Sequence, residues 1–232
     1  MYDILVAGGG ISGLSTALAL RAIFGEALRI GVIDPVFGAR EANVRTSALA
    51  AGSVNLLAAI GVWPEIEDRA GPMRALQITD SRRNDSVRPL YLQFDEPLET
   101  GAPFSFMVRN ADVIGALERR VRASGIDILD KAVKRVMPHA RFAEVKLADG
   151  NVQKARLLIG ADGVRSQVRR SAGIETISHD YKRAAIVATL QHEEDHHAIA
   201  VQHFLPPGPF AMLPLVGRRS SIVWTEYQED VA

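Results

Sequence analysis

Met1-Tyr2-Asp3-Ile4-Leu5-Val6-Ala7-Gly8-Gly9-Gly10-Ile11-Ser12-Gly13 is the stretch whose reading decides the fold. Asp3 to Ala7 is a short apolar run without Gly or Pro, the pattern of a buried strand in a parallel sheet. Gly8 permits a tight turn out of that strand, Gly10 lets a pyrophosphate approach the backbone, and Gly13 lets the following helix pack against the sheet. Free N–H groups and the positive end of that helix then hold phosphates. Leu14, Leu18 and Ala22 recur at helical spacing through Ser12 to Phe24, and Gly25 suits the residue just past a helix end. A second strand, Leu28 to Ile33, leads to Asp34, 26 positions after Gly8, where a carboxylate accepts hydrogen bonds from an adenosine ribose. The alternative is a Gly-rich turn with no ligand. Strand, helix, second strand and terminal acid in this order favour the dinucleotide reading.

That unit does not separate FAD from NAD, because both carry the same ADP half. A second stretch does: Leu157-Leu158-Ile159-Gly160-Ala161-Asp162-Gly163-Val164-Arg165-Ser166-Gln167-Val168-Arg169. Its Gly-Ala-Asp-Gly-x-x-Ser-x-Val-Arg pattern resembles the block of the FAD-dependent aromatic hydroxylases related to para-hydroxybenzoate hydroxylase. Within that superfamily the chain is most similar to the ubiquinone-biosynthesis hydroxylases. The softer matches are Asp34 followed by Arg45-Thr46-Ser47-Ala48-Leu49, then Leu57-Ala58-Ala59-Ile60-Gly61-Val62-Trp63 and Val108-Arg109-Asn110-Ala111-Asp112-Val113-Ile114. The run from His203 to Leu215, with Val223-Trp224 after it, also matches.

The resemblance implies FAD as cofactor, NADPH or NADH as electron donor, and O2 as the source of an oxygen atom delivered to an activated aromatic ring. The cofactor carries the hard step, so no catalytic base is assigned. By motif, Gly8, Gly10, Gly13 and Asp34 would hold the ADP half of FAD, and Val133 would offer backbone contacts near adenine. Arg45 and Arg109 would approach the flavin side or the pyrophosphate, where Arg suits bidentate phosphate contact; a structural ion pair is the other reading. Asp162 would contact the flavin's ribose-phosphate region and the route of the nicotinamide donor. The implied substrate is an apolar aromatic ubiquinone precursor. A non-catalytic nucleotide-binding remnant or interaction subunit, and the same chemistry on a soluble aromatic compound, stay open as alternatives.

Composition suits a chain with one sizeable core or two small ones, being 47% apolar and 23% charged. Lys and Arg balance Asp and Glu, so no broad electrostatic footprint for nucleic acid exists. Arg165, Arg169 and Arg170 form the densest basic cluster, which a solvated helix face explains as well as phosphate contact does. Cysteine is absent, which removes disulfides and thiolate chemistry. No apolar run reaches membrane-span length and a strand begins at residue 3, so the expectation is a cytoplasmic protein, or one peripheral to a membrane or a multi-enzyme assembly.

The expected fold class is α/β, a Rossmann-like FAD-binding domain interleaved with an antiparallel-sheet substrate domain. Residues 1–71 and 108–174 form the two parts of the first, and 72–107 and 175–232 those of the second. In the first part a helix from Thr46 to Gly61 uses Leu49, Leu56, Leu57 and Ile60. Ala75 to Thr79 and Leu90 to Phe94 alternate as half-buried strands around a polar turn from Asp80 to Asp85. Asn110 caps a helix with Val113, Leu117 and Val121 on one face. Ile126–Val136, Ala143–Leu147 and Ala155–Ile159 read as strands, with Asp149-Gly150 a hairpin signal. Ala184–Leu190, His197–Phe204 and Ser220–Thr225 complete the second sheet.

Two segments invite over-reading. His192-Glu193-Glu194-Asp195-His196-His197, with His203 nearby, has metal-ligand residue types but lacks Cys and fixed helical spacing, so it reads as a solvated loop and no metal is assigned. For Pro206-Pro207-Gly208-Pro209 the resemblance implies a backbone turn near flavin and substrate, the other reading being a rigid sheet connection, and Phe204, Phe210, Met212 and Leu213 line a pocket or belong to the core. The resembling family carries a further Gly-Asp-Ala-Ala-His flavin motif, and nothing after Trp224 resembles it. The expectation is therefore an N-terminal portion with weak FAD binding that does not turn over by itself, and that dimerises through uncovered surface.

Overall fold

The computed structural model describes residues 1–39, 44–82, 85–95 and 101–231. In chain order the elements are β1 (Tyr2–Ala7), α1 (Ile11–Phe24), β2 (Ile30–Ile33), β3 (Thr46–Ala50), α2 (Ala51–Ala59), β4 (Gly71–Met73), β5 (Ala75–Asp80), β6 (Leu90–Phe94) and β7 (Ser105–Arg109). There follow α3 (Asn110–Ala123), β8 (Asp127–Leu129), β9 (Val133–Pro138), β10 (Ala143–Leu147), β11 (Val152–Gly160), α4 (Gln167–Ser171), β12 (Arg183–Gln191), β13 (Ile199–Leu205), β14 (Gly208–Leu215) and β15 (Arg219–Tyr227). Contacts divide the chain into two compact units, one of 1–42, 56–65 and 111–177, the other of 43–55, 66–110 and 178–232.

The first unit is built on a sheet of order β8-β2-β1-β11-β10-β9. Leu5, Val6 and Ala7 have no exposed surface, because β1 lies between two parallel neighbours, β2 and β11. Burial on both sides is why this strand reads as a continuous apolar run. β10 and β9 continue the sheet antiparallel, and Leu147 to Val152 turns through Asp149-Gly150, with Gly150 at positive φ. α1 buries Leu14, Ala17 and Leu18; α3 buries Val113, Ala116, Leu117 and Val121 at the helical repeat.

The second unit holds a sheet of order β12-β15-β14-β13-β5-β6 and a smaller one of order β3-β7-β4. The expected pairing of the two excursions into one sheet occurs through the parallel pair β13 and β5. Met73, Met107, Ala200 and Leu215 form its core, with Leu76, Phe104 and Leu213 packed against it. The Thr46 hydroxyl donates to Ser221 Oγ at 3.0 Å.

Several expectations change. Thr46–Ala50 is a strand, paired antiparallel with Ser105–Arg109, and only Ala51–Ala59 is α-helical. Cross-strand bonding overrides the helical spacing there, and Leu56 is left exposed while Leu57 is buried. Residues 43–55 and 66–71 accordingly fall in the second unit. Leu28 precedes β2, which begins at Ile30. Gly208–Leu215 is a strand inside the sheet despite Pro209 and Pro214, residues that argue against an inner strand. Pro206-Pro207 is thus the two-residue loop of the β13–β14 hairpin, in which Leu205 faces Gly208. Arg83 and Asn84 of the expected polar turn lie outside the described residues.

Candidate functional site

Three of the four glycines in the opening loop and first helical turn are required by the protein itself. Gly8 sits at φ 107°, its N–H donates to Ile33 O at 2.8 Å, and a Cβ there would strike the Ala161 carbonyl. A Cβ on Gly13 would strike Gly8 O, so α1 reaches the sheet only as glycine. Gly9, which sequence reasoning passed over, is held against Asp34: its N–H donates to Asp34 Oδ2 at 2.6 Å, and a Cβ would lie 2.9 Å from Asp34 Cβ.

Gly10 is different. Its backbone is extended at φ −75°, and a Cβ would meet nothing within 4 Å. The space in front of it is a cavity of about 400 Å³ lined also by Gly8, Asp34, Val133, Asp162 and Arg165. α1 starts at that point with no side chain capping it, so its first-turn N–H groups lack intrahelical acceptors. A glycine open to a cavity, an uncapped helix N-terminus and a carboxylate in the wall fit the phosphate and ribose of a dinucleotide.

Asp34 follows β2 and is 6% exposed. Besides Gly9 it accepts from Val36 N–H at 2.9 Å through Oδ1. The acid therefore braces the glycine loop, a task its position at a strand end did not reveal. Asp162 has a similar second task. Its carboxylate accepts from Ser166 Oγ at 2.5 Å, from Gln167 N–H at 2.6 Å and from Val168 N–H at 3.1 Å, tying down the start of α4. Burial pushes this carboxyl up, but the bonds from Ser166, Val168 and Gln167 outweigh it and hold it below the usual carboxylate range. Ser166 completes the turn by accepting from Arg169 N–H at 2.9 Å. A serine immediately before a short helix is the N-cap signal that marks it.

Gly8, Gly10, Asp34, Val133 and Asp162 thus share one cavity, with Gly13 directly behind the loop. Arg45 and Arg109 belong to the second unit. They are neighbours there: Asn110 N–H donates to Arg45 O at 3.0 Å, and Arg109 is paired with Thr46. Arg109 lines a separate cavity of about 290 Å³ with Arg69, Thr189, Leu215 and Arg219.

The histidine segment is held internally. His192 lies 3.0 Å from Ser220 Oγ and 2.6 Å from Glu194 O. His196 receives Ala198 N–H on Nδ1 and lies 2.8 Å from Leu215 O through Nε2. His203 is buried between Thr79 and Ser81 hydroxyls. Among the described residues no group of three or more His, Asp or Glu is placed to hold a metal. Among them, too, no helix is long and apolar enough to cross a membrane.

A family model described as FAD binding domain matches residues 1–231. The chain belongs to that FAD-binding family. Ubiquinone hydroxylase UbiL of Rhodospirillum rubrum is 38% identical over 232 residues, covering 99% of this chain and 53% of the relative. The 3-demethoxyubiquinol 3-hydroxylase of Escherichia coli is 31% identical over 230 residues, covering 96% of this chain and 56% of the relative. The chain spans about half the length of the curated relatives it matches. Among solved structures, a variant of Klebsiella pneumoniae HpxO complexed with FAD superposes with a TM-score of 0.77 at 20% identity, over 97% of this chain and 57% of that one. At that identity the likeness establishes the fold alone. It is the α/β fold of a FAD-binding unit interleaved with a second, largely antiparallel sheet.

Proposed function

We propose that this chain supplies the FAD-binding unit and the substrate sheet of a flavin-dependent monooxygenase that hydroxylates the aromatic ring of a ubiquinone precursor. The observation that carries the reading is the open cavity at Gly10, found in a FAD-binding family member whose relatives are ubiquinone hydroxylases. The first-turn N–H groups of α1 would hold the pyrophosphate, and Gly8 and Gly13 keep the loop and helix close enough for that. Asp34 would accept from the adenosine ribose while it braces Gly9. Val133 would border the adenine. Asp162, charged and fixed by α4, would orient groups at the ribityl end and along the approach of the nicotinamide donor. Arg45 and Arg109 would meet the flavin side or the pyrophosphate.

Bound FAD supplies two-electron acceptance from NADPH or NADH and activation of O2. In net terms, one ring C–H becomes C–OH, the second oxygen atom leaves as water, and the nicotinamide is oxidised. The protein's share is binding, orientation and exclusion of water. An apolar, tailed substrate sets the enzyme at the cytoplasmic face of a bilayer or in a multi-enzyme assembly, as a monomer or a homodimer.

The test is a flavin spectrum of the purified chain, followed by NADPH and NADH oxidation with added FAD and a tailed phenol. Weak flavin uptake is the expected result. A chain that takes up no FAD under any condition is the non-catalytic remnant instead, and oxidation stimulated only by soluble aromatic acids transfers the reading to that substrate class.

A further inference from the structure

Of the basic cluster singled out in the sequence, Arg165 lines the cavity at Gly10 and Arg169 bonds to Val164 O, whereas Arg170 lies outside that cavity. Arg170, on α4, lines a shallow groove of about 750 Å³ together with Lys134, Arg135, Lys146, Gln167 and Ser171. No acidic residue lines it among the described residues, although the whole chain carries no net charge. The nearby Glu144 lies beside Lys154, at 4.0 Å.

Arg135 and Lys146 face each other directly across the antiparallel pair β9–β10. Like charges opposed in this way destabilise a sheet. β9 is an edge strand, and edge strands do carry charge to prevent sheet-to-sheet aggregation. That accounts for one cation on β9. It does not account for Lys146 one strand further in, or for Arg170 on the helix packed beside it. Such a concentration is relieved when an external anion faces it.

The chain leaving α4 adds a second feature. Ile174 N–H bonds back to Arg169 O, which sets Ile174 at the end of the helix that carries Arg170. Ile174 is 60% exposed, and the Ile177 side chain stands fully in solvent. Branched apolar side chains exposed on the chain leaving α4 have no gain in water. At a bilayer they enter the headgroup boundary while the cations meet lipid phosphates.

We infer that the β9–α4 face, with Lys134, Arg135, Lys146 and Arg170 as cations and Ile174 and Ile177 as apolar contacts, docks this protein on a membrane surface containing anionic phospholipid. The chemistry recognised is a plane of lipid phosphates, since a single soluble phosphate uses neither the breadth of the groove nor the two isoleucines. The inference deepens the proposed function, which sets the enzyme at a bilayer face, by naming the surface that meets it; FAD titration tests that reading, and vesicles test this one.

The experiment is flotation of the full chain with phosphatidylcholine vesicles, with and without phosphatidylglycerol. Binding is expected only with phosphatidylglycerol and is expected to weaken as salt rises. Arg135→Gln/Lys146→Gln should weaken partitioning about 25-fold, at about fivefold per cation near the surface. Ile174→Ser/Ile177→Ser should weaken it roughly tenfold or more. The glutamine variant relieves a like-charge pair, so its melting temperature should equal or exceed that of the unaltered chain. If it falls, Lys134→Gln/Arg170→Gln carries the same test. Equal binding to neutral vesicles, no binding to anionic ones, or undiminished binding by the variants overturns the inference. So does displacement by millimolar glycerophosphate, which would make the groove a soluble-phosphate site, or tighter binding to duplex DNA than to vesicles.

Discussion

Gly10→Val separates what the opening loop needs for folding from what it needs for a ligand. The backbone at Gly10 is extended at φ −75°, which any L-residue adopts, and a Cβ meets nothing within 4 Å. The fold therefore has no steric reason to resist the change. Reduced freedom of the unfolded chain contributes about 0.4–1 kcal/mol in favour of the variant. A poorer residue at the helix cap costs about as much. Net stability should stay within about 1 kcal/mol, a shift of roughly 2–4 °C in Tm. The valine side chain, however, projects into the cavity beside the first turn of α1. Two hydrogen bonds to a charged phosphate, each worth about 1.5–3 kcal/mol, are lost if the pyrophosphate is held off. A loss of about 3 kcal/mol weakens binding roughly 10²-fold. Flavin fluorescence quenching during titration with FAD, and competition by ADP, read the affinity; a thermal melt reads the fold. Gly13→Ala is the opposite case, because its Cβ strikes Gly8 O and should cost about 1–3 kcal/mol of stability. Unchanged FAD affinity in Gly10→Val would refute the pyrophosphate assignment, and an unfolded Gly10→Val would refute the geometry.

Asp34→Ala should lower stability by about 2–4 kcal/mol, since it strips the acceptor from the Gly9 and Val36 N–H groups in a buried setting. It should also weaken FAD by about 1–3 kcal/mol in whatever fraction stays folded; a stability loss with unaltered affinity would leave the acid only its bracing role. For Asp162 the folded-state carboxyl is held low, so its contribution to stability is complete above the unfolded value near pH 4. That contribution is lost as pH falls through the lower folded value. Melts taken between pH 6 and roughly pH 3 should converge for Asp162→Asn and the unaltered chain at the acid end. Parallel curves throughout would show that the Ser166, Gln167 and Val168 bonds do not anchor α4.

Much of the candidate site was legible because it is local. A buried strand, a glycine turn and an amphipathic helix are each specified by residues within a few positions of one another, so Tyr2 to Phe24 reads correctly from one end to the other. Val113, Leu117 and Val121 behave alike: their spacing puts them on one helix face, and all are buried. Gly8 and Gly13 belong here too, although the atoms that exclude a side chain from Gly8 are contributed by Ala161 and Asp162, far along the chain.

Other features depend on partners that spacing does not encode. Leu49 and Ile60 have the periodicity of a helix face, yet Thr46–Ala50 is a strand because Ser105–Arg109 offers it a ladder of backbone bonds. Gly208–Leu215 carries two prolines and still lies between strands on both sides, where hairpin closure and flanking pairing outweigh the missing donors. The second roles of Asp34 and Asp162 appear only once the loops that surround them are in place. By itself the sequence determined that a glycine turn joins a buried strand to a helix, and which acid ends the second strand. Only the tertiary structure decided that Asp34 also holds the loop, and that Arg135 and Lys146 confront each other on adjacent strands. Such contacts follow from strand register and loop closure, which are set by hydrogen bonds between residues remote in sequence.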